Sequence, residues 1–414
     1  MKKREYPLVT VTKKAQFSLA DGHPWVYDTE VVSIDTPELE NGSIVDVAGP
    51  KENYLGTGIY SEKSKIRVRI LSRGANDRYD RAFFERRIAY AWEYRKTVMR
   101  DDISACRIIF GEADRFPGLT VDRFGDVLVT QTLSVGMEKL KDMIFPLLYE
   151  VLTADGQHIR GIYERNDVPI RALEGLEEYK GWYALEGKVK NPPKNDGLTV
   201  TEITENGLRF KVDFENGQKT GYFLDQKYNR AEIARLCRGK RVLDCFTHTG
   251  SFALNAVAGC AASVCAADIS QDALNIAAEN AALNGMDGKI DFRCDNVFDM
   301  LHKMEDAHSQ DFDFIILDPP AFTKSRKTID SATRGYKEIN YRAMKLLPRG
   351  GYLATCSCSH FMETELFVKM LRSAAADAAV ELRQVELRQQ SSDHPIVWGV
   401  PETDYLKFYI FQIV

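Results

Sequence analysis

The chain has 414 residues, of which 44% are apolar and 28% are charged, and its formal net charge is −5. This length predicts two or three domains rather than one core. The composition is that of a soluble globular protein, and the net charge argues against a uniformly basic nucleic-acid binder.

No apolar stretch in the sequence is long enough to span a bilayer, and no apolar signal region follows the first residues. We therefore expect a cytoplasmic protein with no membrane partner, whose eight cysteines are thiols rather than disulfides. Six of them stand singly in apolar or mixed surroundings, where each is most simply a small buried side chain. These six are Cys106, Cys237, Cys245, Cys260, Cys265 and Cys294.

The first 74 residues are predicted to be rich in β-structure, because glycine, proline and asparagine separate short runs of β-branched residues. Alternation in the last run places Arg67 and Arg69 on one face of a strand. The runs lie at residues 8–11, 43–47 and 66–71.

A basic segment overlaps the end of this region. Between Glu62 and Arg100 the sequence has twelve lysine or arginine residues and five acidic ones, with aromatic residues among them. Two interpretations remain open. The segment is either a solvated helix whose apolar side is packed, or an electrostatic footprint for phosphates.

Residues 75–192 are predicted to mix helices and strands. The expected elements are a helix from Asp80 to about Arg100, a hairpin of strands 119–124 and 127–131, a helix over 137–153, a strand at 161–164 and a linker at 191–197.

From Arg241 onward, short apolar strands alternate with helices, which predicts a doubly wound α/β domain with a mostly parallel sheet. One helix is expected to begin near Ser251, and another to run from its N-cap Ser270 to Asn284. The predicted strands are 241–246, 263–268, 313–318 and 351–357.

Ligands of such sheets bind beyond the carboxyl ends of the strands. The loop 244–251 is rich in small residues, which lets a ligand approach the backbone and the following helix N-terminus, but it lacks the GxGxxG spacing of dinucleotide sites. Asp268 ends the next strand, where an acid binds ribose hydroxyls. Asp295 and Asn296 follow the segment 290–293, in a position to contact an adenine.

The stretch "LDPPAF" follows a predicted central strand. Its two prolines fix the backbone, so that Asp318 and the next carbonyl groups are held rigidly. A fixed polar corner with Phe322 nearby suits a flat heterocycle that needs in-plane hydrogen bonds.

The stretch "CSCSH" ends the last predicted strand and places Cys356, Cys358 and His360 on one side of it. Alternate side chains of a strand stand roughly 7 Å apart, too far for three ligands of one zinc ion. No second cluster offers another ligand, so no metal site is predicted, and a Cys356–Cys358 disulfide is disfavoured by its geometry. Two interpretations of Cys356 and Cys358 remain: both are inert core thiols, or one of them is a nucleophile.

The ordered motifs "DCFTHTGSFAL", "AADIS", "CDNVFD", "LDPPAF" and "GGYLATCSCS" resemble class I S-adenosylmethionine-dependent methyltransferases. More narrowly, the chain resembles the RlmI-type bacterial 23S rRNA cytosine-C5 methyltransferases. The segments "GHPWVY", "FPGLTVDRFGDVLVTQ" and "GQKTGYFLDQKYNR" extend this resemblance over essentially the whole chain. The single glycine of the first loop, Gly250, departs from the pattern of many methyltransferases.

The resemblance implies a PUA-like RNA-binding β-barrel over residues 1–74, a middle α+β domain over 75–192 and a Rossmann-like methyltransferase domain over 193–414. It also implies S-adenosylmethionine as the cofactor, ribosomal RNA as the partner and a homodimer. The residues that would line the cofactor site are Gln226, Arg230, Asp244, Phe246, Thr249, Gly250, Asp268, Ile269, Asp295, Asn296 and Asp318.

Cytosine C5 does not attack a sulfonium methyl unaided, but addition of a thiolate at C6 makes C5 enamine-like. Cys358 aligns with the cysteine of the family's "SCS" motif and is therefore the predicted nucleophile, with Cys356 as a packing residue and Asp318 orienting the base. Two alternatives remain. One is a ring-nitrogen methyltransferase of the guanine-N7 type, and the other is a non-catalytic RNA-binding ribosome-assembly factor.

Overall fold

The computed structural model describes residues 5–99, 102–323 and 325–414. The chain forms two compact units. The first comprises the residues up to Ile203 together with Val212–Leu224 and Ser392–Thr403, and the second comprises Thr204–Lys211, Asp225–Ser391 and Asp404–Val414. The division into three domains at residues 74 and 192 stays a prediction.

The N-terminal part of the first unit is a six-stranded sheet with the order β2-β6-β5-β4-β1-β3. Valine and isoleucine side chains at alternate positions form its core, which is why these runs are strands. The three predicted strands are confirmed. The elements are β1 (Leu8–Val11), α1 (Lys13–Ala20), β2 (Trp25–Tyr27), β3 (Val31–Ile34), β4 (Ile44–Ala48), β5 (Tyr54–Tyr60) and β6 (Ile66–Ser72).

The basic segment is partly neutralised within this unit. Arg69 forms an ion pair with the buried Glu174 at 2.8 Å. Arg95 is fully buried, and its guanidinium binds both carboxylate oxygens of Asp114. The segment is therefore not a uniform phosphate-binding surface, and its end, Arg100, lies outside the described residues.

The rest of the first unit is built on a five-stranded sheet with the order β11-β10-β9-β8-β7. Its β8–β9 hairpin and its helices confirm the predicted elements, and Asp80 caps α2 by accepting a bond from the amide of Phe83 at 3.0 Å. The elements are α2 (Arg81–Val98), β7 (Ala105–Phe110), β8 (Leu119–Phe124), β9 (Val127–Thr132), α3 (Val135–Ala154), β10 (Gly161–Arg165) and β11 (Lys180–Trp182).

A hairpin and a helix precede the α/β domain, and the sequence prediction missed both. The hairpin strands β12 (Val200–Glu205) and β13 (Leu208–Asp213) flank Asn206-Gly207, a pair that favours a tight turn. The helix is α4 (Lys227–Leu236). Both residues of the turn have positive φ, which asparagine and glycine tolerate best.

The second unit contains a seven-stranded sheet with the order β16-β15-β14-β17-β18-β20-β19. The strands from β16 to β18 are parallel, and β20 pairs antiparallel with β18 and β19. The elements are β14 (Arg241–Cys245), α5 (Ser251–Ala258), β15 (Ser263–Asp268), α6 (Gln271–Leu283), β16 (Ile290–Cys294), α7 (Val297–Asp306), β17 (Phe314–Leu317), α8 (Ile329–Leu346), β18 (Tyr352–Ser357), α9 (Thr364–Ala378), β19 (Leu382–Arg388) and β20 (Lys407–Ile413).

This order confirms the predicted doubly wound α/β fold. The chain leaves β14 in one direction for β15 and β16 and returns on its other side with β17 and β18, so the switch point lies between β14 and β17. Alternate residues of the central strands, such as Leu243, Ile315 and Leu353, form one core with helices α7, α8 and α9. In the described parts of the chain, no helix has the length and apolarity needed to cross a membrane.

Candidate active site

The loop between β14 and α5 has an unusual backbone. Phe246, His248 and Gly250 all have positive φ, at 63°, 51° and 80°. A Cβ atom on Gly250 would lie 2.9 Å from both Ala277 Cβ and Leu254 Cδ1. Glycine is therefore required here by backbone angle and by close helix packing, and the strained loop is a feature typical of ligand sites.

Two buried polar atoms at this place have no protein partner in the described structure: Asp244 Oδ1, near the end of β14, and Thr249 Oγ1, in the loop. The other carboxylate oxygen of Asp244 accepts bonds from Thr247 Oγ1 at 2.5 Å and from the amide of Ala253 at 3.0 Å. Burial raises the pKa of Asp244 to about 7. Unpartnered buried polar atoms are costly, so they indicate a position where a polar ligand binds.

Asp268, at the carboxyl end of β15, is held against the same loop. Its two carboxylate oxygens accept bonds from the backbone amides of His248 and Ser270, each at 2.9 Å. The carbonyl of Asp268 in turn accepts a bond from the amide of Asp295 at 3.0 Å. The structure thus brings together the first loop and the ends of β15 and β16, as the sequence predicts.

Asn296 and Ile269 lie at the same strand ends. Asn296 caps α7, because its side-chain oxygen accepts a bond from the amide of Phe298 at 2.9 Å. Ile269 is 72% exposed, which is unusual for so large an apolar side chain. An exposed apolar surface beside Asp268 is suited to cover a heterocycle.

Arg230, a predicted cofactor contact, has a buried structural partner. Its Nε and Nη2 atoms bind the two carboxylate oxygens of Glu205 at 2.6 and 2.8 Å, and both side chains are buried. The guanidinium therefore neutralises a buried carboxylate. Whether it also contacts a cofactor stays a prediction.

Asp318 follows β17 and forms a small polar network. Its Oδ1 atom accepts bonds from Gln226 Nε2 at 3.1 Å and from Cys356 Sγ at 2.9 Å. Burial raises the pKa of Asp318, against the effect of these two bonds. Burial, and then the charge of Asp318, raise the pKa of the Cys356 thiol well above its ordinary value. Cys356 is thus a buried hydrogen-bond donor.

Cys358 differs from Cys356 in exposure, since it is half-buried at the end of β18. Its two neighbours are anchored by Tyr336 of α8, which the sequence analysis missed. Ser357 Oγ donates to the Tyr336 hydroxyl at 3.0 Å, and Ser359 Oγ lies 3.1 Å from the same hydroxyl. The backbone that carries Cys358 is therefore held on both sides of the thiol.

Aromatic side chains form a cluster beside these groups. Phe322, which follows the two prolines, lies 4.5 Å from Tyr336 and 5.8 Å from Phe298 between ring centroids, and Phe246 lies 6.5 Å from Phe322. Phe298 was not predicted because it belongs to a separate helix, α7. Apolar rings beside a carboxylate and a thiol form a surface that suits a planar base.

Two protein families match parts of the chain. The family of S-adenosylmethionine-dependent methyltransferases matches residues 192–408, and the PUA-like domain family matches residues 9–73. Two curated relatives are named ribosomal RNA large subunit methyltransferase I. The protein of Klebsiella pneumoniae is 38% identical over 99% of both chains, and that of Shewanella denitrificans is 40% identical over 96% of both.

Solved structures agree in fold. A Streptococcus mutans protein described as a SAM-dependent methyltransferase superposes with a TM-score of 0.80 at 21% identity, covering 98% of this chain and 99% of its own. A methyltransferase complexed with SAH gives a TM-score of 0.82 with the same identity and coverage. The chain is an S-adenosylmethionine-dependent methyltransferase, and it belongs to the family whose curated members are named ribosomal RNA large subunit methyltransferase I.

Proposed function

We propose that this protein methylates C5 of a cytosine in large-subunit ribosomal RNA, and that Cys358 is the nucleophile. The substrate class rests on the names of the full-length relatives and on the match to a PUA-like domain. The observation that carries the chemistry is the half-buried thiol of Cys358 at the carboxyl end of β18, two residues beyond the buried Cys356.

The cofactor site follows from the polar groups at the strand ends. When bound, S-adenosylmethionine supplies an electrophilic methyl group. Asp244 and Thr249 would hold its amino-acid portion, because their unpartnered buried oxygens suit an ammonium group. Asp268 would bind the ribose hydroxyls with the lone pairs that its two hydrogen bonds from backbone amides leave free.

Apolar and polar groups at the strand ends would hold the adenine. Ile269 and Phe246 would cover its faces, and Asp295 and Asn296 would bind its edge. Gly250 allows the positive φ and the close packing that the loop needs at this position. Gln226 donates a hydrogen bond that fixes the carboxylate of Asp318. Arg230 acts through Glu205 by holding α4 in place.

The reaction begins when the Cys358 thiolate adds to C6 of a cytosine that is flipped out of its RNA helix. The C5–C6 double bond opens, and C5 takes the methyl group as the bond between this methyl and the sulfonium sulfur breaks, with S-adenosylhomocysteine as the leaving group. Loss of the C5 proton and cleavage of the S–C6 bond then restore the aromatic ring and the thiol. Asp318 holds the base during these steps by accepting a bond from the exocyclic amine, since its carboxylate is fixed by Gln226 and Cys356.

Trapping with 5-fluorocytidine tests this mechanism. Fluorine at C5 cannot leave as a proton does, so the protein and its cofactor should form a covalent adduct with ribosomal RNA containing this base. The Cys358→Ala variant should form none, whereas Cys356→Ala should still form one. An adduct that depends on Cys356 and not on Cys358 would show that Cys356 is the nucleophile.

The competing reaction is ring-nitrogen methylation, which needs no thiol. Mapping the product in RNA methylated by the wild-type protein separates the two reactions. We expect 5-methylcytidine. A methyl group on a ring nitrogen, formed equally well by Cys358→Ala, would contradict the proposal. The homodimer and the cytoplasmic location stay predictions.

A further inference from the structure

A buried lysine lies beside the proposed nucleophile and has no role in the mechanism above. Lys407 is the first residue of β20, and in the antiparallel register its Cα is opposite that of Ser357, the residue before Cys358. The whole residue is only 5% exposed. Burying a lysine is costly unless its amino group is well bonded or has lost its charge.

The amino group of Lys407 has two short bonds to neutral partners. Nζ donates to the carbonyl of Ser359 at 2.8 Å and to the carbonyl of Tyr405 at 2.9 Å. A neutral amine has two N–H groups and one lone pair. The two carbonyl groups satisfy both N–H groups and leave the lone pair able to accept a proton.

The charged and titratable groups around Lys407 come from three parts of the second unit. Cys356 and Cys358 belong to β18 and the residue after its end, Glu363 precedes α9, and Asp404 precedes β20. Burial lowers the pKa of Lys407 to about 8, and the interaction with Cys358 is the largest effect opposing it. A shift in this direction increases the share of neutral amine that can accept a proton.

We propose that Lys407 is the proton acceptor that converts the Cys358 thiol into the attacking thiolate. This inference rests on the proposed function, since it gives a role to a residue beside the proposed nucleophile. The S–H bond of Cys358 breaks, its proton forms a third N–H bond on Lys407, and the electron pair stays on sulfur. The resulting ammonium then stabilises the thiolate, which adds to C6 of the base.

Alkylation of the full-length protein tests this pair without RNA. The rate at which iodoacetamide modifies Cys358 is followed by peptide mass spectrometry at pH values from about 6 to about 10, because only the thiolate reacts. In Lys407→Met we expect the rate at neutral pH to fall about tenfold and the pH profile of Cys358 to move upward by about one unit. The exposed Cys260 and Cys294 are internal controls, whose rates should not change.

Lys407→Arg separates a charge effect from a structural one. Arginine keeps the positive charge, so Cys358 should be alkylated at least as fast as in the wild-type protein. Because the proposed role of Lys407 ends once the thiolate has formed, methylation of RNA should also be retained in Lys407→Arg. Retained binding of S-adenosylmethionine shows that each variant is folded, and Lys407→Gln replaces Lys407→Met if the latter does not fold.

An unchanged pH profile of Cys358 in a folded Lys407→Met or Lys407→Gln variant would overturn the proposal. So would an equal loss of alkylation in Lys407→Arg, since that result indicates a loosened strand end rather than a lost charge. The failure of the cytosine-C5 mechanism would give a different pattern, with normal alkylation results but no adduct with 5-fluorocytidine.

Discussion

The Cys356 thiol donates a hydrogen bond of 2.9 Å to the carboxylate of Asp318. The two residues lie at or just beyond the carboxyl ends of the neighbouring parallel strands β18 and β17. The same oxygen accepts a bond from Gln226, so the carboxylate is fixed from two directions. A thiol that is buried and engaged in this way has little thiolate character, which separates Cys356 from the half-buried Cys358.

The bond to Asp318 gives Cys356 a measurable structural role. In Cys356→Ala we expect the free energy of unfolding to fall by about 1–3 kcal/mol more than in Cys245→Ala, because only the first change removes a donor from a carboxyl group. Cys245 is a matched control, since it is also fully buried and lies in the same sheet, on β14, which β17 separates from β18. Urea denaturation of the two variants measures the difference. Equal losses would mean that Cys356 contributes packing alone.

The strand ends were predictable from the sequence because the signal is local. Asp244, Asp268 and Asp318 each follow an apolar run, and the parallel sheet brings such positions to one edge. The single glycine, Gly250, was likewise found from its place before a helix. In each case the residue and its immediate neighbours in the sequence were enough to predict its position.

Tyr336 and the proposed proton acceptor Lys407 were missed because their positions beside β18 depend on tertiary pairing. Lys407 lies opposite Ser357 only through the antiparallel register of β18 and β20, and nothing within its own segment indicates a catalytic role. Tyr336 reaches Ser357 and Ser359 from α8, where its spacing is that of any core residue. The partner of Arg230 was missed for the same reason, since Glu205 belongs to a hairpin that was not predicted.

Arg230 should be more important for stability than for cofactor affinity. Removal of its guanidinium takes two charged hydrogen bonds from the buried carboxylate of Glu205, so Arg230→Met should lower the free energy of unfolding by about 3–5 kcal/mol. The double variant Arg230→Met/Glu205→Leu should recover much of this loss, because both buried charges are gone. Calorimetric titration of the folded double variant with S-adenosylmethionine should give nearly wild-type affinity. A large loss of affinity would confirm the prediction that Arg230 contacts the cofactor.

Gly250→Ala tests the close packing of the first loop. Two effects add here: the strain of a non-glycine residue at φ +80°, and the approach of the new Cβ to 2.9 Å from Ala277 and Leu254. Gly285 is the matched control, because it has φ +66° and open space around the position of a Cβ. Strain alone costs about 1–3 kcal/mol, so Gly250→Ala should be destabilised beyond Gly285→Ala and should also bind S-adenosylmethionine more weakly. Thermal unfolding and cofactor titration measure the two effects, and equal behaviour of both variants would contradict the packing argument.

The buried carboxyl of Asp244 should make the stability of the protein depend on pH. Burial raises its pKa from 3.8 to about 7, so between these values the folded state binds more protons at this site than the unfolded state. The stability that Asp244 contributes is therefore fully present below pH of about 4 and falls as the pH rises through about 7.

Replacement of Asp244 by asparagine removes the titrating group and keeps the shape of the side chain. The difference between the unfolding free energies of the wild-type protein and Asp244→Asn, measured by urea denaturation at several pH values, should shift in favour of the variant as the pH increases. Neighbouring groups such as His248, whose pKa burial lowers, titrate in both proteins and cancel to first order in this difference. A difference that stays constant between pH of about 4 and about 7 would show that Asp244 is already ionised in the folded protein.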